Sequence, residues 1–542
     1  MRGIDARAFP INALPLVKPL FFCGLALLSL LASAIAAETV DADICVFGGT
    51  AGGVAAACTA AREGRRVVLT EYGAHIGGLT SGGLGWTDIG NKAAIGGFAR
   101  QFYKRLGQRY GKDEAWTFEP HVAEEELNKL LQEAKVPVYL NQRLASAQKT
   151  GARVTGIKME NGNVFHAKMF IDCSYEGDLL AAAAVSAMVG REANTKFDET
   201  LNGRRAVTPA HQFLVAVDPF VHPGDPASGL LPFVQAGEGV KPGEGDHCVQ
   251  AYNFRLCFTK NAANKKPIDP PANYDAARYE LLGRYFEALA AANQKVTIKN
   301  FLKIDMVTPQ KTDINNNGGF STDFIGANYA YPTASYAERE KIWKEHEAYT
   351  RGFLTFLATD SRVPAEIRSE MGQWGLCKDE FPDTGGWPYQ LYVREARRMV
   401  GEMVMTERVC RGLEKPEDCV GLGAYNMDSH NCERLVKDGR AENEGDVQVG
   451  VKPYPISYRA IVPKAAECEN LFAPVCLSAT HIAYGSIRME PVFMILGQSA
   501  ATAAGLALQA GIPVQKVDYA KLRARLEEDG QVLSWQAGGE KK

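Results

Sequence analysis

Ile44-Cys45-Val46-Phe47-Gly48-Gly49-Thr50-Ala51-Gly52-Gly53, then an alanine-rich segment to Arg62, Gly64, and Val67-Val68-Leu69 running to Glu71, is the stretch that decides the fold. An apolar run, a glycine turn, a helical segment and a second apolar run read as strand, turn, helix, strand. A glycine turn alone also fits a plain α/β connection. Here it joins a strand directly to a helix, and an acidic residue stands 23 positions after Gly48, which is the spacing of a dinucleotide site. Gly48 permits the tight turn, and Gly49, Thr50 and Gly52 lie where backbone amides approach a pyrophosphate at the positive helix terminus. Gly53 allows the helix to pack on the sheet, and Glu71 is placed to accept hydrogen bonds from a ribose. Thr50 departs from the usual middle glycine and offers its hydroxyl as a donor to the phosphates.

Working outward, Gly73 to Gly97 is rich in glycine, with Gly77-Gly78, Gly82-Gly83 and Gly96-Gly97. A nicotinamide domain would pass quickly to another helix and strand, whereas this stretch suits an extended cofactor. An amphipathic helix through Glu124–Ala134 precedes a strand at Val136–Leu140. Alternation at Leu144–Gln148, Val154–Met159 and Val164–Ala167 reads as a three-stranded meander, with Met169–Asp172 as the next parallel strand.

This order, running into Asp172-Cys173-Ser174-Tyr175-Glu176-Gly177-Asp178, resembles the glutathione-reductase-type FAD fold. More narrowly, the chain is similar to the exported bacterial FAD-dependent oxidoreductases, some of which carry the label xanthan lyase. The narrower likeness rests on Lys311-Thr312-Asp313-Ile314-Asn315-Asn316, Tyr392-Val393-Arg394-Glu395-Ala396-Arg397-Arg398-Met399 and Ser486-Ile487-Arg488-Met489-Glu490-Pro491. Ser174-Tyr175 stand where relatives often have Thr-Gly. The resemblance implies an α/β chain in which a Rossmann-like FAD-binding domain with a β-meander crossover carries an inserted α+β substrate domain. It also implies FAD contacts at Gly77, Gly78, Asp172, Gly177 and Asp178. In this fold class the last helix points its N-terminus at the flavin, a role that falls here on Gly497 and Gln498.

Beyond residue 190 the pattern changes to short apolar runs broken by Pro and Gly, as in Val249–Thr259, and Tyr336–Leu357 and Arg394–Arg411 read as helices. Leu471–Val475 is a strand candidate, and Gly497–Ala510 an alanine-rich helix stopped by Gly511. The expected organisation is a leader at 1–37, the FAD-binding domain at 38–190 and 466–542, and a substrate-binding cap at 191–465. Arg2, Arg7 and Lys18 precede an apolar run from Leu20 to Ile35, and Ala34, Ala36 and Ala37 supply a cleavage site, the order of a secretory signal. That run is shorter than the roughly 20 residues a membrane anchor needs. A periplasmic or secreted protein without a membrane span after processing is the expectation.

The 542 residues, 46% hydrophobic and 23% charged, predict several folded domains. A net charge of -3 leaves no basic excess for nucleic acid. Of 12 cysteines, removal of Cys23 with the leader leaves 11, an odd number. Export permits disulfides, with Cys468 and Cys476 or Cys410 and Cys419 as candidate pairs. Cys45, Cys58 and Cys173 read as core residues. No C-x-x-C motif is present, so neither a redox dithiol nor a cysteine-rich zinc site is indicated, and no metal is expected.

Flavin chemistry needs a substrate held over the ring, and often a base. His481, seven residues before Arg488 and close to the last helix, leads His430 and then His211 as candidate base. Arg488 suits a substrate carboxylate or reduced flavin. Arg394, Arg397 and Arg398 fall at helical spacing, where ion pairs with Glu395 and Glu402 are the simplest reading. Asn315, Asn316 and Asp323 form a polar cluster suited to a polyol or sugar. The expected activity is dehydrogenation of a small polar, carbohydrate-like substrate by hydride transfer to FAD, with oxygen, a quinone or a carrier protein as electron acceptor. No second glycine-turn unit is present for NAD(P)H. The competing class is a polysaccharide lyase or carbohydrate-binding protein in which FAD is structural.

Overall fold

The nine-residue strand β1 (Thr39–Phe47) is central because its inner half is apolar on both faces, as a parallel strand covered on two sides must be. It pairs in parallel with β2 (Val67–Thr70), Ile44 opposite Val67 and Phe47 opposite Thr70. On its other side it pairs in parallel with β6 (Val164–Asp172), Thr39 opposite Val164 and Phe47 opposite Asp172. With β3 (Val138–Tyr139), β4 (Leu144–Thr150) and β5 (Arg153–Met159) the order is β3-β2-β1-β6-β5-β4, and the strand Leu471–Phe472 joins β6 in parallel. The far C-terminal segment thus returns to the first sheet. The computed structural model describes residues 37–237 and 239–535, so the expected leader lies outside the described residues apart from Ala37.

The expected meander is corrected by this topology. Val164–Ala167 and Met169–Asp172 are one strand, antiparallel to β5 and parallel to β1. Lys168, which breaks the apolar pattern, is an exposed residue in the middle of that strand and forms a 3.0 Å ion pair with Asp43 of β1. A charge in the sequence marked a change of environment along one strand rather than its end.

Helix α1 (Ala51–Arg62) is capped by Thr50 and packs on the long helix Glu490–Ala510, which is followed by one shorter helix, Tyr519–Glu528, so it is not the last helix expected from the sequence. Small residues on both let the backbones meet. A Cβ on Gly497 would lie 2.1 Å from the Gly52 carbonyl, and one on Gly52 would lie 2.9 Å from that of Phe493. The Glu490–Ala510 helix is apolar enough by composition to cross a membrane, but 89% of its most apolar stretch is buried inside the protein. It starts earlier than its alanine-rich part suggests, because Met489-Glu490-Pro491 opens it with proline at a position where the missing N–H is harmless.

The second region is less regular than its sequence suggests. Tyr336–Thr359 is a helix entered through a Ser335/Glu338 capping box. Arg394–Arg411 is not: only Glu407–Cys410 is helical, with Arg398–Met399 in a short strand. Arg394, Glu395 and Arg398 are all buried, and a regular helix would not deliver them to partners on so many sides. Arg394 pairs with Asp323, Arg397 with Asp178 and Arg398 with Glu192, so the expected pairs with Glu395 and Glu402 do not form. Within Val249–Thr259 only Phe258–Thr259 is regular strand, the rest being held by isolated bridges from Asn253 to Tyr392 and Leu256 to Ile314. The two cysteine pairs weighed from the sequence are not formed: Cys476 donates to the Ser174 and Tyr175 carbonyls, Cys419 to that of Gly421, and Cys410 and Cys468 are buried free thiols.

Candidate active site

The turn between β1 and α1 is built by close approach. Gly48 has φ +99°, and a Cβ there would stand 2.5 Å from the Ser174 amide. A Cβ on Gly53 would lie 1.9 Å from the Gly48 carbonyl, so this glycine closes the turn onto the helix. The Thr50 hydroxyl accepts from the Gly53 amide and donates to the Cys173 carbonyl at 2.8 Å. That corrects the expectation that it serves the phosphates, since it is the helix N-cap. The first-turn amides of α1 remain directed out of the helix as an anion cradle.

Glu71 lies across this cradle. Its carboxylate accepts from the Gly49 amide at 2.6 Å and the Gly73 amide at 2.7 Å, and burial pushes its pKa up to about 7 against those bonds. Gly77, at φ +110°, donates to the Gly49 carbonyl, and Gly78 passes so close to Tyr175 that a Cβ would meet its hydroxyl at 2.4 Å. Gly48, Thr50, Glu71, Gly78, Ser174 and Tyr175 line a cavity of about 90 Å³. His75 and Tyr389, stacked at 3.4 Å, line both this cavity and a groove of about 660 Å³ beside it.

Two expected cofactor residues are engaged within the protein. Asp172 is fully buried and accepts from the Ser174 amide and hydroxyl and from the Leu180 amide, tying the loop after β6 to the helix that follows. Asp178 is held by Arg339 at 2.6 Å and Arg397 at 3.0 Å, whose charges keep its pKa below the usual value despite burial. Gly177, at φ +67°, turns the chain between them. Gly497 and Gln498 lie two turns inside the Glu490–Ala510 helix, Gly497 against α1 and Gln498 accepting from the Phe98 amide at 2.7 Å. The residue at the start of that helix is Glu490, whose carboxylate accepts from Thr80 at 2.6 Å and Tyr175 at 2.7 Å, its pKa pushed up to about 7 by burial. Its place in the quoted Arg488-Met489-Glu490-Pro491 stretch was the available signal.

The candidate bases fall into two layers. His430 Nδ1 is 2.8 Å from Asp323, and its Nε2 is 3.8 Å from Asp428. Arg488 donates to the Tyr392 hydroxyl at 2.7 Å and to Asp428 at 3.2 Å, so Asp428 links His430 to Arg488. Arg394 forms a 2.9 Å ion pair with Asp323 and lies 4.7 Å from the Tyr392 ring centroid. Burial, helped by Arg394, pushes the His430 pKa below the usual value against the pull of Asp323. His211 stacks on His430 at 6.4 Å and its pKa is also lowered by burial. His481 sits behind them, its Nδ1 2.9 Å from Glu395 and its Nε2 3.0 Å from the Ser429 hydroxyl. Both of its nitrogens are engaged.

Asn315 accepts from Asn253 at 2.9 Å, Asn316 is buried opposite Leu302, and Asp323 serves His430 and Arg394. Asp446 was not anticipated from the sequence. Burial and then the nearby Asp428 and Asp323 push its pKa up to about 8. Its charged neighbours are Asp428, on the strand paired beside it, and Asp323, from another segment, so no spacing in the sequence marks it.

The sequence profile described as FAD dependent oxidoreductase matches residues 43–526. This chain belongs to that family. No curated protein matches the oxidoreductase. Among solved structures it is similar to a geranylgeranyl bacteriochlorophyll reductase-like protein from Thermoplasma acidophilum, at 11% identity over 91% of this chain and 85% of that one, TM-score 0.35. It is also similar to L-proline dehydrogenase from P. horikoshii, at 14% identity over 29% and 59%, TM-score 0.23. A flavoprotein/dehydrogenase from Cytophaga hutchinsonii matches at 15% identity over 28% and 44%, TM-score 0.21. The oxidoreductase spans 38%, 44% and 48% of the length of three of the solved structures it matches. Its cofactor is FAD, and the residues present fit it: a glycine turn with no room for side chains, a helix N-terminus aimed outward for the pyrophosphate, and Glu71 with lone pairs left for a ribose.

Proposed function

We propose that this oxidoreductase dehydrogenates a small polar, hydroxyl-bearing substrate that also carries an anionic group, with His430 as the base. The observation that carries the reading is the His430 imidazole, oriented through Nδ1 by Asp323 while Nε2 has only the more distant Asp428. Asp323 holds the Nδ1 proton and stabilises the imidazolium that forms when Nε2 takes a proton from the substrate. Arg488, with its buried Nε unpartnered, orients the anion. When bound, FAD supplies the two-electron acceptor.

Asn315 and Asp323 are engaged behind the site, so the reading moves from a neutral sugar toward a sugar acid or hydroxy acid. The finer architecture, a glutathione-reductase-type FAD domain with an inserted α+β substrate region, is supported by the return of Leu471–Phe472 to β6. The leader's residue order supports export to the periplasm or beyond, and N-terminal sequencing of the native protein after Ala36 or Ala37 tests it. Reduced flavin would pass its electrons to oxygen, a quinone or a carrier protein. Anaerobic mixing with sugars, polyols, amino acids and hydroxy acids tests the activity. Bleaching of the flavin by a hydroxy or sugar acid is expected, whereas turnover of a polysaccharide without bleaching would favour a structural FAD.

A further inference from the structure

Cys257 and Cys377 lie 120 residues apart in sequence and their sulfurs are 3.6 Å apart, both side chains buried. The register explains the meeting. Phe258–Thr259 pairs antiparallel with Gly375–Cys377, Phe258 opposite Leu376 and Thr259 opposite Gly375, so one step further along Cys257 stands opposite Cys377. Opposed residues in an antiparallel pair have Cα atoms roughly 4.5–5.5 Å apart, inside the roughly 4.4–6.8 Å that a disulfide spans. Gly375–Cys377 is also the middle strand of its three-stranded sheet, with Lys265–Lys266 on the other side. Both cysteines are therefore held in place by backbone pairing.

We infer that Cys257 and Cys377 are joined by a disulfide in the mature protein. The bond forms by exchange: a thiolate of the pair attacks the disulfide of an oxidant such as oxidised glutathione or a disulfide-exchange enzyme. The second thiolate then displaces that partner, which leaves as two thiols carrying the two electrons and two protons. Burial of the finished pair places this step during folding, before the sheet closes over it, and protects the bond from reductants afterwards. Phe381 completes the small apolar cluster around the two sulfurs, and Tyr389 packs on it. Tyr389 also lines the cavity at the α1 N-terminus. The cross-link therefore fastens the segment that follows Cys377, and one wall of the dinucleotide site, to the strand before it.

The test is a thiol count and a peptide map on the full holoprotein, unfolded in denaturant with an alkylating agent and no reductant. One preparation is made with the leader and exported. A second is refolded from cytosolic material with oxidised glutathione. Of the eleven cysteines in residues 37–542, nine should be alkylated, with the digest holding one reducible peptide pair that contains residues 257 and 377. Reductant should raise the count to eleven, and Cys257→Ser should free Cys377 and abolish the linked pair. Eleven free thiols in both preparations, or a linked pair that omits either cysteine, would overturn the inference.

Discussion

His430 and His481 lie within one hydrogen-bonded group of side chains, yet their second ring nitrogens meet different surroundings. His481 is closed at both nitrogens by Glu395 and Ser429, whereas His430 is closed at one. His430→Gln is expected to slow anaerobic flavin reduction by ~10²–10⁴ with FAD content and melting temperature unchanged. His481→Gln should instead lower stability by ~1–3 kcal/mol, since it removes the imidazole bonded to the buried Glu395 carboxylate. Stopped-flow reduction and thermal melts of the two variants check both statements. Because burial depresses the His430 pKa, the acid limb of the reduction rate should lie below the ordinary imidazole value of ~6.5. His346 offers a separate pH test. It is buried, Nδ1 on the Ile342 carbonyl, with its pKa lowered to about 4. Between pH ~6.5 and 4 the unfolded chain binds a proton here that the folded one does not, so stability falls as pH falls, by about 3 kcal/mol across the window. Denaturant melts of His346→Leu should show a shallower loss over that range.

At the scale of elements, the crossing of α1 and the Glu490–Ala510 helix sets how the nucleotide end is built. Gly497→Ala places a methyl 2.1 Å from the Gly52 carbonyl and must part the helices, at a cost of ~1–3 kcal/mol. Since Gly52 lies in the first turn of α1, the end that carries the anion cradle, the same variant should lose FAD more readily. Gly372, in the helix Ala365–Gln373, is the control: a Cβ there meets nothing within 4 Å, so Gly372→Ala should be neutral or stabilising by up to ~1 kcal/mol. Urea midpoints and the ratio of flavin to protein absorbance would separate the two. Tyr392–Met399 carries the opposite lesson. Its arginines at helical spacing read as a helix with a charged face, but buried Arg394, Glu395 and Arg398 are each held by a different neighbour, Asp323, His481 and Glu192, and that demand outweighs local helix propensity.

For the whole molecule, Gly48 joins the sheet, α1 and the loop after β6 at one point. Gly48→Ala must hold φ +99° and a methyl 2.5 Å from the Ser174 amide at once, so it is expected to yield protein without flavin or no soluble protein. Because the cofactor binds the folded chain, adding FAD to apoprotein should stabilise it by about 2.7 kcal/mol at a hundred times its dissociation constant. Calorimetric melts across an FAD titration check this, and a melting temperature independent of FAD would oppose the placement at Gly48–Gly53.

The dinucleotide turn was legible in the sequence because it depends on local events: a strand that must be apolar on both faces, glycines where no side chain fits, and an acidic residue one strand away. Those constraints act over about thirty residues and leave a pattern there. The same locality misled the reading of β6, where one exposed lysine looked like a boundary, and of Thr50, whose hydroxyl turned to the helix it begins. Only the tertiary structure decided which histidine has both nitrogens bonded, that Asp178 is held by Arg339 and Arg397, that burial raises the Asp446 pKa, and that Cys257 meets Cys377. Each of these depends on charges or atoms brought together from separate segments or on burial by the whole fold, and neither leaves a spacing that a linear chain displays.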